Sequence, residues 1–306
     1  MKRIGVVAGL LVAIWLIAIP CWGQAQPQRP KILGISGVQI YESNMAAAWR
    51  FYSPLTDMGQ ICVDCEKAPD PDFFDCGTQT IAISALSKPK NSDLLQFVAL
   101  RTDNLNQLSA YLRNKGVRSS KKNVEPYGKV LFVYDPEGHV VLFADASHHK
   151  LAVSEKTVKN PQGSCRLIHA GWVVKDREAM DKFYKDVLGF HLYWQGGMKD
   201  DQVDWVSMQV PDGTDWIEYM LNIPPDADKH LLGVMNHIAL GVPSVQAAAE
   251  RLKKRGVKLT EEPKIGRDGK WQLNLYDPDD TRVELMEFTP VEKPCCSEFT
   301  GTHPKP

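Results

Sequence analysis

The chain carries the same pattern twice, and that repeat constrains its fold more than any other feature. Trp49-Arg50-Phe51-Tyr52 returns as Asp181-Lys182-Phe183-Tyr184, 132 residues later. Ala110-Tyr111-Leu112-Arg113-Asn114-Lys115-Gly116-Val117 returns as Glu250-Arg251-Leu252-Lys253-Lys254-Arg255-Gly256-Val257, 140 later, and Tyr134-Asp135-Pro136 as Tyr276-Asp277-Pro278, 142 later. Self-similarity at one period means one structural unit used twice. The drift in offset places about ten extra loop residues in the second copy. The expected layout is a module over 32–147, a linker over 148–165, a second module over 166–289 and a Cys/Pro-containing tail over 290–306. A length of 306 residues agrees with two domains.

Each module divides again. In the second, Ile168–Val174 reads as a strand, and Asp176 can cap a helix that presents Met180, Phe183, Tyr184, Val187 and Leu188 on one face, with Gly189 at its stop. Strand-like runs follow at His191–Trp194, Trp205–Val210 and Trp216–Ile223. The order then restarts: strand His237–Val242, a helix capped by Ser244 and ending at Gly256, and strands near Val257–Leu259, Trp271–Tyr276 and Val283–Phe288. The unit is β-α-β-β-β, used four times. The expected class is α+β, each module being two such units that form a curved, partly closed mixed sheet with helices outside.

Residues 1–25 read as a signal peptide. A basic start, Met1-Lys2-Arg3, precedes a 16-residue apolar run from Ile4 to Ile19, and Gly23-Gln24-Ala25 offers small residues for cleavage. The run is short for a spanning helix. A periplasmic or secreted protein without a stable membrane span is expected. A net charge of −1 with no basic run argues against nucleic acid as a partner. Of seven cysteines, six remain after cleavage. Cys62-x-x-Cys65 suits a redox pair, half a zinc site or a structural disulfide, and an oxidising compartment favours the last. Cys165 just before the second module and Cys295-Cys296 just after it allow a bridge closing that module, a pairing that spacing does not assign.

Chemistry is expected where strand alternation gathers ionisable groups on one face. His169, Glu218, His237 and Glu284 fall on four strands of the second module, 49 residues separating the first pair and 47 the second. A lone strand histidine is ordinarily a hydrogen-bonded core or surface residue, and a lone strand glutamate ordinarily faces water, as Glu287 should. Four such residues at equivalent positions of two half-modules are a different matter. A carboxylate flanked by apolar neighbours needs a cation. Two imidazoles and two carboxylates suit a borderline divalent metal: zinc, nickel, iron or manganese. The other histidines have no such partners.

The motifs Leu167-Ile168-His169, Phe183-Tyr184…Leu188-Gly189-Phe190, Trp216-Ile217-Glu218, Asn236-His237-Ile238-Ala239-Leu240 and Tyr276-Asp277-Pro278-Asp279…Val283-Glu284-Leu285 resemble the vicinal oxygen chelate superfamily, which includes glyoxalase I, extradiol dioxygenases, epimerases and bleomycin-resistance proteins. They span the whole second module. The resemblance implies a metal held by His169, Glu218, His237 and Glu284, and a small vicinally oxygenated substrate. It implies a glyoxalase-like lyase or isomerase, with Glu284 as first choice of base and Glu218 as second. A three-ligand set of His169, His237 and Glu284 would instead resemble a ring-cleaving extradiol dioxygenase, and the drug-sequestering members suggest a non-catalytic small-molecule binder. The sequence departs from glyoxalase I at Val173, where an arginine is usual, and from the extradiol enzymes at Asn274, where a tyrosine is usual. Glutathione is not the expected partner outside the cytoplasm.

The first module lacks the ligands. Aligning the repeats sets Gly37 against His169, Ala82 against Glu218, Phe97 against His237 and Leu142 against Glu284. A tandem swap of half-modules would leave each site two of four ligands, so the second module is expected to close on itself within one chain. A monomer or a homodimer satisfies this.

Overall fold

The computed structural model describes residues 27–56, 71–76, 78–85, 93–146 and 166–306. The leader, the linker over 148–165, and Cys21, Cys62, Cys65 and Cys165 lie outside them.

The first half of the chain supplies β1 (Ile32–Glu42), α1 (Met45–Tyr52), β2 (Asp72–Cys76), β3 (Gln79–Ala85), β4 (Leu95–Thr102), α2 (Leu105–Asn114), β5 (Ser119–Val124), β6 (Gly128–Tyr134) and β7 (Val140–Asp145). The second supplies β8 (Arg166–Val173), α3 (Arg177–Asp181) continued by a π-helical turn (Lys182–Val187), β9 (His191–Gly196), β10 (Trp205–Gln209), β11 (Trp216–Met220) and α4 (Lys229–Met235). It continues with β12 (His237–Val242), α5 (Val245–Lys254), β13 (Lys264–Ile265), β14 (Trp271–Tyr276) and β15 (Arg282–Glu287). Each half forms one mixed sheet, β2-β3-β1-β4-β7-β6-β5 and β13-β14-β15-β12-β8-β11-β10-β9. The two half-units of the second sheet are joined edge to edge by the antiparallel β8–β12 pair rather than standing as separate sheets.

The repeat is exact at the level of register. Gly37 pairs with Thr80 and Ala99, and Ala99 with Leu142. His169 pairs with Trp216 and Ala239, and Ala239 with Glu284. Offsets of 132, 136, 140 and 142 residues therefore carry one module onto the other strand by strand. Asn44, Asn104, Asp176 and Ser244 each cap a helix through a side-chain oxygen, as their residue types favour.

Three local expectations need correction. Val257–Leu259 is irregular, and pairing begins only at β13, because Pro263 has no N–H for a ladder. Helix α4, capped by Asp228, was not expected; its seven residues are too few to show a helical period. Cys295 and Cys296 are bonded to each other. A sulfur makes one disulfide, so neither bridges to Cys165. Cys76 is also disulfide-bonded.

The modules share one apolar core, which runs from Ile35, Val38 and Phe74 through Leu167, Trp172 and Tyr184 to Leu285. Polar contacts cross between them in matched pairs. Tyr52 donates to Asp277 at 2.8 Å, and its counterpart Tyr184 donates to Asp135 at 3.3 Å. The Ser43 amide donates to Asp279, and the Lys175 amide to Glu137. Gln79 donates to the Leu167 carbonyl and accepts from the Leu167 amide, tying β3 directly to β8. The asymmetry lies at Glu42, fully buried beside Asp277, where the other copy has Val174. No helix among the described residues is long and apolar enough to cross a membrane.

Candidate metal centre and its cavity

Four adjacent strands at the middle of the second sheet, β15-β12-β8-β11, each contribute one ionisable side chain: Glu284, His237, His169 and Glu218. His169 Nε2 lies 3.0 Å from His237 Nε2, 3.6 Å from Glu284 Oε2 and 3.8 Å from Glu218 Oε2. His237 Nε2 lies 3.3 Å from Glu218 Oε2. The tightest group is His169, Glu218 and His237, whose ligand atoms fall within 4.8 Å of one another. All four residues belong to one module of one chain. Gly171 makes this packing feasible, since a Cβ there would overlap the His237 imidazole.

The supports fix the direction of each group. His237 Nδ1 lies 2.8 Å from the Met235 carbonyl, which only accepts, so Nδ1 carries the proton and Nε2 turns its lone pair inward. Trp216 packs on the His169 ring at 4.7 Å, and the Ser207 hydroxyl donates to Glu218 at 3.1 Å. Burial pushes both imidazoles below their usual range, His169 well below it; the Arg282 guanidinium adds to this, and Glu218 opposes it. Burial pushes the Glu218 carboxyl up, but His169, His237 and Arg282 outweigh it and hold it at about 2. Burial raises Glu284 to about 8, with Glu218 and Asp268 adding to the effect against Arg282.

These residues fit a divalent ion. His169 Nε2 faces the His237 lone pair and two carboxylate oxygens, and a single proton can satisfy only one of the three. A divalent ion held by His169, Glu218, His237 and Glu284 would satisfy them together, and the two carboxylates would balance its charge.

A cavity of about 310 Å³ opens from the site. Glu218 and Glu284 line it, with Trp194, Trp205, Trp216, Met220, Met286 and Phe299 forming much of the rest of its wall. Several wall residues were not anticipated from sequence. The tail over 290–306 lies along β9: Thr300 N bonds to the Tyr193 carbonyl, Ser297 bonds to Gln195, and Gln209 donates to the Thr302 carbonyl. It thereby delivers Phe299 to the cavity and His303 to the Tyr193 hydroxyl at 2.6 Å. Lys270 is completely buried behind the wall, donating to Tyr193 at 3.1 Å and lying 4.9 Å over Trp216. Burial pushes its amine down to about 8, against the pull of Asp268, Glu284 and Glu218. The only sequence signal for Lys270 was a lysine opening an apolar-alternating strand. His303 had none.

The equivalent place in the first module is filled. Phe97, Tyr127, Val130 and Leu142 pack there as a small apolar cluster, and a Cβ on Gly37 would overlap the Tyr127 hydroxyl.

The sequence profile described as "Glyoxalase/Bleomycin resistance protein/Dioxygenase superfamily" matches residues 166–285. The mitochondrial methylmalonyl-CoA epimerase of Mus musculus is 30% identical over 130 residues, 40% of this chain and 71% of that protein. A probable chloroplastic lactoylglutathione lyase of Arabidopsis thaliana is 27% identical over 135 residues, 43% of this chain, which spans 38% of that protein's length. Homoprotocatechuate 2,3-dioxygenase of Arthrobacter globiformis superimposes over 86% of this chain and 82% of its own, with a TM-score of 0.63 and 17% identity. That likeness concerns the fold, and it extends over both modules.

Proposed function

The chain belongs to the Glyoxalase/Bleomycin resistance protein/Dioxygenase superfamily, and from that membership we propose an exported, divalent-metal-dependent lyase or isomerase acting on a small, vicinally oxygenated substrate. The observation that carries the reading is the second carboxylate. A ring-cleaving site needs three protein ligands, whereas here Glu218 approaches both histidines and Glu284 approaches His169 as well. The ion, zinc, nickel, iron or manganese, supplies Lewis-acid polarisation of a substrate oxygen when bound.

The chain's own residues do the rest. His237 holds its lone pair inward, fixed by the Met235 carbonyl, and Trp216 packs on the His169 ring. Glu218 stays anionic, steadied by Ser207. Glu284, on the cavity wall, takes a proton from the substrate carbon next to the polarised oxygen and returns it to the neighbouring or opposite face. The tryptophan-rich wall and Phe299 exclude bulk water from that transfer.

The test is proton exchange. Metal-depleted protein is reloaded with each of the four ions and incubated in D2O with a panel of 2-substituted thioesters and thiohemiacetals of 2-oxoaldehydes. Metal-dependent deuterium uptake at the carbon next to the carbonyl is expected, lost in Glu284→Gln. No exchange across the panel, or full exchange in the variant, refutes the proposal. One observation favours a second reading: tryptophans at the cavity suit a planar ring, the shape of a catechol. Oxygen uptake with iron-loaded protein and catechols would select it. Export is tested by the mass of the mature protein, expected to lack about 25 residues.

A further inference from the structure

The vicinal disulfide lies against Arg267 and Trp194, two residues of the cavity wall, where three separate segments meet. Cys295 donates its amide to the Arg267 carbonyl at 2.8 Å, and its carbonyl accepts from the Trp194 indole at 3.2 Å. Cys295 Sγ lies 3.5 Å from Asp200 Oδ1, and Cys296 Sγ lies 3.7 Å from Arg267 Nη2. Arg267 also pairs with Asp200 and donates from Nε to the Gly197 carbonyl at 3.2 Å. Asp200 Oδ1 and the two sulfurs thus fall within 4.8 Å of one another, on a surface that water reaches.

We propose that Cys295, Cys296 and Asp200 form a second metal site, distinct from the His/Glu centre, which is closed while the sulfurs are bonded to each other and opens when they are reduced. The reductant is a dithiol. Its two sulfurs become a disulfide, the Cys295–Cys296 bond breaks, and the two electrons and two protons pass to the cysteines as thiols. A divalent cation then displaces both thiol protons and gains two thiolates and one carboxylate, with water completing its shell.

Two features of the surroundings support this. The guanidinium of Arg267 stands against Cys296 Sγ, and a neighbouring cation favours thiolate over thiol. Charge also balances. Two thiolates and Asp200 bring three negative charges; a divalent ion and Arg267 bring three positive ones. Sulfur ligands select a soft or borderline ion, so the site takes zinc or cadmium in preference to magnesium or calcium. The His/Glu centre offers no sulfur, so the two sites are chemically distinguishable.

The experiment uses cadmium. The full chain and its Cys295→Ser/Cys296→Ser variant are reduced with a phosphine under nitrogen, desalted and titrated with Cd2+, following thiolate-to-cadmium charge-transfer absorption. The remaining cysteines are common to both proteins, so the difference reads this pair alone. The reduced full chain is expected to bind one more Cd2+ than the variant, with added absorption that the oxidised protein does not show. Asp200→Asn should weaken that binding by about tenfold or more. Equal absorption in reduced chain and variant overturns the proposal. In case the double variant does not fold, alkylation of the reduced native chain is mapped with and without Cd2+. Protection of both cysteines supports the site, and unprotected cysteines overturn it.

Discussion

Glu42 offers a quantitative test of the junction between the modules. It is fully buried, and Asp277 and Asp279 stand near it. Burial, with those two carboxylates adding, pushes its carboxyl from 4.5 up to about 11. The folded protein therefore holds a proton on Glu42 at neutral pH that the unfolded chain releases. The resulting stability is fully present below pH 4.5 and is lost as pH rises toward 11. One proton of difference is worth about 1.4 kcal/mol per pH unit, so the native protein should lose about 2.7 kcal/mol from this group between pH 6 and pH 8. Glu42→Gln keeps the shape without the ionisation. Guanidinium unfolding at the two pH values should show the variant gaining on the native protein by up to about that amount, Asp277 being the neighbouring group whose own titration the change touches. Proton release on unfolding at pH 7, read by calorimetry in buffers of different ionisation enthalpy, should fall by about one proton in the variant. Parallel pH dependences for the two proteins, or unchanged proton release, would refute the reasoning. Glu42→Val, copying Val174 of the other module, is a second variant that should behave as Gln does.

Two further outcomes are expected. Gly171→Ala drives a methyl into the His237 ring and should weaken metal binding by about tenfold or more, read as loss of the visible spectrum of the cobalt-loaded protein, with little change in far-UV circular dichroism. Tyr52→Phe and Tyr184→Phe each leave a buried aspartate one donor short. Each should cost about 1–3 kcal/mol in unfolding free energy, and the pair should be near additive because the two contacts lie at separate junctions.

Much of this architecture was legible because it is written in local periodicity. Alternation along β8, β11, β12 and β15 put His169, Glu218, His237 and Glu284 on inward faces, and the repeat offsets aligned Gly37, Ala82, Phe97 and Leu142 against them without a structure. Strand register reproduces that alignment. Other parts depend on contacts that no periodicity encodes. Thr300 meets Tyr193 and His303 meets the same ring from more than 100 residues away, through an irregular tail with no apolar pattern. Lys270 is a charged residue whose burial is made tolerable only by three surrounding rings, the Tyr193 hydroxyl and nearby Asp268. The cysteine pairing was undetermined for a related reason: adjacent cysteines can bond to each other only in a particular local backbone, which composition does not reveal.

The plug in the first module has a consequence for any attempt to build a centre there. Tyr127 occupies the space that a side chain on residue 37 would need, so a histidine introduced there meets a filled volume. Restoring all four ligands would bury two glutamates where Ala82 and Leu142 now sit in the dry interior, with no ion admitted until the tyrosine also leaves. Every single step back toward a second centre therefore destabilises the protein before any benefit appears. The two halves, matched in register, thus differ in what their centres can accommodate.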